Sequence, residues 1–131
     1  MTSDHLIRRT LWGTAVFNIG GSVVFAFPDS YQGRLYEFPA DVPVLYRFLV
    51  PLFIFLYGGA YAWLARQPSM SRPFIAFAAV NKFCVFALVF ILWLLHEASL
   101  LNVVALSGDL VFAALFAYWL AVDRQSPATQ A

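Results

Sequence analysis

Four apolar stretches, each close to the thickness of a bilayer, divide this 131-residue chain: Leu11 to Phe27, Val44 to Ala65, Phe74 to Leu95 and Leu100 to Val122. The hydrocarbon core of a membrane is about 30 Å thick, a distance that ~20 helical residues cross. Within the four stretches the charged side chains are Lys82, Asp109 and, at a helix edge, Arg47. A peptide group in hydrocarbon finds no water, so each stretch must satisfy its backbone internally and reads as a helix. The pattern predicts an all-α, polytopic membrane protein. One domain over residues 1–131 forms a four-helix transmembrane bundle, with helices over about 11–27, 44–65, 74–95 and 100–122.

Composition supports lipid as the solvent. The chain is 62% hydrophobic and 11% charged, against a charged share of about 25% in soluble domains. A soluble chain of this size cannot hide so much apolar surface in one core. The net charge of +1 gives no footprint for nucleic acid. The single cysteine, Cys84, sits inside an apolar run and reads as a small packed hydrophobe. No paired thiol, metal spacing, phosphate loop or catalytic triad is present, so no metal or cofactor is implied and no catalytic residue is assigned.

Turn residues separate the stretches. Pro28, Asp29, Ser30 and Gly33 open an outer loop over 28–43, and Gln67, Pro68, Ser69 and Pro73 fall in or beside a cytoplasmic loop over 66–73. A tight His96–Glu97–Ala98–Ser99 turn makes the last two helices a hairpin. Arg8, Arg9, Arg66, Arg72 and Arg124 collect on one side, which predicts both termini inside and a bacterial inner-membrane location. Trp12, Trp63 and Trp119 would then lie at the inner interface and Trp93 at the outer one. The first stretch also admits a signal-peptide reading, because it follows two arginines and carries Val24 and Ala26 at small-residue positions. Asn18 and the Gly20–Gly21 pair argue for a retained helix instead.

Helices in lipid associate through close approach of small residues. Gly20 and Gly21, Gly58 and Gly59, and Gly108 are the expected packing positions. Pro51 is expected to kink the second helix.

The polar residues inside the stretches are the candidates for function, because an intramembrane charge is costly and seldom idle. Lys82 lies ~12 Å and Asp109 ~20 Å from the same membrane edge by helical rise. A lysine stem spans that gap, so the pair is expected to meet across the hairpin. Asn18 and Tyr61 fall at compatible depths, making an inner group of Asn18, Tyr61, Lys82 and Asp109. It is either a polar pocket that handles a ligand or proton, or a neutral clasp that fixes register. A second cluster is expected at the outer rim: Glu37, Arg47, His96, Glu97 and Asn102.

The segments GGAYAWLARQP, RPFIAFAAVNK and GDLVFAALFAYWL resemble the small four-helix bacterial membrane proteins of the DoxX-like type, over the whole chain in layout. The resemblance implies an inner-membrane protein working beside a quinone-linked or redox partner, and carries over no catalytic residue. Three functions follow as expectations. The first is an accessory or ligand-binding subunit in the bilayer, with a protein partner or second copy and a lipophilic small molecule as its companions. The second is a small membrane enzyme or redox subunit acting on a quinone or isoprenoid. The third is an oligomeric transporter.

Overall fold

The computed structural model describes residues 3–123 as five helices: α1 (Ser3–Ala26), α2 (Tyr31–Leu35), α3 (Val44–Ala65), α4 (Arg72–Leu94) and α5 (Leu100–Asp123). Arg124, one of the expected inner anchors, lies outside the described residues. Three helices, α3, α4 and α5, are long and apolar enough to cross a membrane. At most 28% of the most apolar window of any of them is buried within the chain. Phe48, Phe53, Phe83 and Leu88 are among the side chains left exposed. That much uncovered apolar surface suits lipid rather than water. Cys84 belongs to this exposed surface, not to the core expected for it.

The first helix has a different face. Thr10, Thr14, Asn18 and Ser22 recur every fourth residue, and all four are buried. A spacing of four keeps them on one side of the helix. Three hydroxyls bond back to their own helix: Thr10 to the Leu6 carbonyl at 2.9 Å, Thr14 to Thr10 at 2.7 Å and Ser22 to Ile19 at 2.7 Å. Satisfied in this way, they pack inward with no partner helix required. Accordingly α1 packs between α3 and α5, while α4 rests chiefly on α5.

Arginines join the helix ends. A helix C-terminus presents carbonyls without partners and the negative end of its dipole. Arg8 donates to the Ala65 carbonyl at 2.8 Å and to Pro68 at 3.1 Å, closing α3. Arg47 donates to the Ala26 carbonyl at 3.3 Å, closing α1. Arg72 donates to the Leu120 carbonyl at 3.0 Å and pairs with Asp123, closing α5. This use of Arg8 explains why α1 begins at Ser3, two turns before the apolar stretch. The extension is polar, but it reaches the end of α3.

The remaining ends close on their own chain. His96 adopts φ 61°, and Glu97 N donates to the Leu92 carbonyl at 2.8 Å, a Schellman turn after α4. The expected outer loop contains α2. Its start is capped by Ser30, whose hydroxyl accepts from Gly33 N at 3.2 Å. Glu37, at φ 57°, makes the same kind of turn after it. Gly33 is required there, because a Cβ would lie 2.6 Å from the Pro28 carbonyl carbon. The third helix runs unbroken through Pro51.

The glycines divide. A Cβ on Gly58 would meet Ile19 at 3.0 Å and Asn18 at 3.2 Å, and one on Gly108 would strike the Phe17 ring at 2.7 Å. Both let helices touch. Gly20, Gly21 and Gly59 have nothing within 4 Å of that position, so the packing role expected for them is corrected. Both glycines of the first pair line a void.

The bundle therefore has two unlike halves. Where α1 and α4 begin and α3 and α5 end, Ile7, Leu11, Leu64, Ile75 and Phe116 form a closed core. Trp119, expected at an interface, is buried in this half at 2% exposure, with the Arg72 guanidinium 5.9 Å from its ring centre. Toward the opposite ends a cavity lies between the pairs α1–α3 and α4–α5.

Candidate functional site

The cavity between the helix pairs measures about 650 Å³ and is open to the exterior. Its walls are apolar: Val16, Phe17 and Phe25 from α1, Phe53 and Ile54 from α3, Val85 and Leu88 from α4, and Leu106 from α5. Gly20 and Gly21 widen it by presenting bare backbone. Tyr36 and Phe38, just after α2, line its outer end, and Phe38 packs on Phe25 with ring centres 4.5 Å apart.

The floor of the cavity is charged. The Lys82 ammonium lies 2.5 Å from Asp109 Oδ1, and it also donates to Asn18 Oδ1. All three residues are buried, at 4%, 3% and 6% exposure, and all three line the cavity. The Asn18 amide is oriented from both ends, since its Nδ2 donates to the Ile54 carbonyl at 3.2 Å. One α4 lysine thus joins α1 to α5, and one α1 asparagine joins the group to α3. Phe17 and Tyr61 present rings to the ammonium at 5.5 and 5.6 Å, a favourable cation–π geometry.

Tyr61 belongs to the boundary. Its ring stacks on Phe116 of the closed core at 6.2 Å, and its hydroxyl accepts from Asn81 Nδ2 at 3.3 Å. It therefore meets Lys82 with its ring face. Asn81, next to Lys82, lines the cavity as well and was not among the expected site residues. The signal for it was its position one residue from a buried charge.

An isolated lysine or aspartate at mid-membrane is penalised by about 2.5–3.5 kcal/mol, and pairing offsets part of that. Asn18 adds a further acceptor. The result is a group with no net charge, satisfied on the protein side and open on the cavity side.

The outer-rim residues do not form one cluster. Arg47 pairs with Asp29 at 3.6 Å and caps α1. His96 and Glu97 are exposed and serve the turn after α4 through their backbone. Glu37 is exposed and also serves a turn. Asn102 acts alone. Its Oδ1 accepts from Ser99 N at 3.1 Å while its own N–H donates to Ser99 Oγ at 3.2 Å, a capping box opening α5. Its Nδ2 then donates to the Tyr36 carbonyl at 2.6 Å and to that of Glu37 at 3.3 Å. Asn102 thereby ties the segment bearing Tyr36 and Phe38 to α5. Arg47 and Asn102 use their side chains on helix ends and a loop, while Glu37, His96 and Glu97 contribute backbone to turns, so a shared depth does not bring the five together.

Among the described residues no group of three His, Cys, Asp or Glu side chains is placed to hold a metal ion. A shallow depression beside Asp29 and Arg34 is lined by exposed side chains. Comparison with protein-family models, with curated proteins and with solved structures returned no match.

Proposed function

We propose that this protein is a four-pass, ligand-binding subunit of the bacterial inner membrane, and that the cavity holds one lipophilic molecule with its polar end on the Lys82–Asp109–Asn18 group. The observation that carries this is a cavity of about 650 Å³ whose apolar walls end on a buried charged floor. Ligand sites typically occupy 300–1,000 Å³, with mostly apolar walls and a few convergent polar groups. A clasp alone needs the Lys82–Asp109 contact but no void beside it, and a void left beside a clasp sacrifices packing.

In this reading α1 crosses the bilayer with the three more apolar helices, because its polar face is turned inward. The arginine bias supports a closed half on the cytoplasmic side and a cavity in the outer leaflet. The layout shared with DoxX-like proteins supports a role beside a partner in the same membrane.

Native mass spectrometry of the chain released gently from its own membrane tests the reading. The expected result is a single small-molecule adduct per chain, lost in Gly21→Leu, where the new side chain enters the cavity. A bare wild-type chain, or an adduct that Gly21→Leu retains, would overturn it.

A further inference from the structure

The cavity has two opposite charges at its floor: among the described residues that line it, Lys82 and Asp109 are the only charged ones. An ammonium has three donors, and two of Lys82 are engaged, by Asn18 Oδ1 and Asp109 Oδ1. A carboxylate has two oxygens, and no hydrogen bond among the described residues engages Asp109 Oδ2. The floor therefore has one donor and one acceptor in reserve.

The closeness of the pair decides what charge a visiting head can carry. The ammonium and carboxylate are 2.5 Å apart, so a head that reaches one is within a few ångströms of the other. An anion drawn to Lys82 meets repulsion from Asp109 of similar size, and a cation meets the reverse. Neither recovers the hydration it leaves behind. A neutral hydroxyl or carbonyl loses far less hydration, and it can take the free N–H, the free oxygen, or both. The walls supply no third charge to alter this balance.

Resting on the reading of the cavity as a binding site, we infer that it selects an uncharged lipid whose head carries a hydroxyl or carbonyl, and that it rejects phosphate and ammonium heads of equal chain length. The shape agrees. Six aromatic side chains, Phe17, Phe25, Tyr36, Phe38, Phe53 and Tyr57, line the cavity with aliphatic residues between them. Such walls accept a single chain or an unsaturated one.

Binding of tritiated hexadecanol to the full chain in phosphatidylcholine nanodiscs tests this, with competition by the matching methyl ketone, by hexadecyl phosphate and by hexadecyltrimethylammonium. The ketone should compete within roughly threefold of hexadecanol, and each ion should be weaker by about tenfold or more. Equal competition by all three would overturn the neutral-head selection while leaving the cavity a binding site. No saturable binding by any of them would overturn the binding-site reading itself. Asp109→Asn leaves Lys82 uncompensated and should shift preference toward hexadecyl phosphate by about tenfold relative to hexadecanol. An unchanged ratio in a folded variant contradicts the inference. Should that variant not fold, the wild-type ranking decides.

Discussion

The two halves of the bundle are built from the same four long helices and differ in what separates them. In the closed half, Ile7, Leu11, Leu64, Ile75 and Phe116 pack in one buried core, and Arg8 and Arg72 fasten the ends. In the open half a cavity lies between the helix pairs, and among the described residues Arg47 and Asn102 bond from those ends to the end of α1 and to the segment after α2. The Lys82 group sits where the halves meet. Close packing was available to this sequence and was used for one half only. The void beside a buried charge pair is therefore a property to explain, and the ligand proposed above would fill it.

The largest expected effect comes from breaking the charge pair. Lys82→Met or Asp109→Asn leaves a buried partner uncompensated and should lower stability by about 3–5 kcal/mol. Lys82→Met combined with Asp109→Asn removes both charges. It should be less damaging than the sum of the singles, by roughly 1–3 kcal/mol, in a double-mutant cycle followed by unfolding in mixed micelles. Additive losses would show that the two residues act separately and would dissolve the boundary between the halves.

Asn102→Ala comes next. It removes half of the α5 capping box and both bonds that hold the Tyr36–Phe38 segment, and it should reduce stability by about 1–2 kcal/mol. The loss should be confined to the open half. Hydrogen exchange should rise across residues 31–38 and the first turn of α5, and remain unchanged around Leu64 and Ile75. Exchange rising equally in both halves would mean that the outer segment helps hold the whole bundle.

His96→Gly has the smallest effect, in the opposite direction. A side chain at φ 61° is strained, and glycine at this turn position should stabilise by about 0.5–1 kcal/mol. A destabilised variant would show that the imidazole makes a contact of its own.

The charged floor was legible in the sequence because the physics is stringent. Two opposite charges in apolar helices of one hairpin have few places to go but to each other, and Asn18 lies at the matching depth. The helical class follows from hydropathy for the same reason. The place of α1 was written in the four-residue spacing of Thr10, Thr14, Asn18 and Ser22, yet that stripe lowers its apolar character and disguises it. The glycines were not legible. Gly21 and Gly58 look alike in sequence, and whether a bare backbone faces a neighbour or a void depends on how two helices diverge. The rim was not legible either. Helix ends compete for polar side chains, and that competition is settled by chain direction, which placed Arg47 on α1 and Asn102 on the loop. The cavity itself arises from those two undetermined features.

The most direct measurement sets Gly21→Leu against Gly58→Leu, one glycine from the void and one from a helix contact, with thermal stability and tritiated hexadecanol binding recorded on each. The account predicts that Gly58→Leu is destabilised by about 1–3 kcal/mol through overpacking. Gly21→Leu should keep its stability and lose binding. Equal destabilisation of the two variants, or binding that survives in Gly21→Leu, would contradict the division of the bundle into a packed half and a binding half.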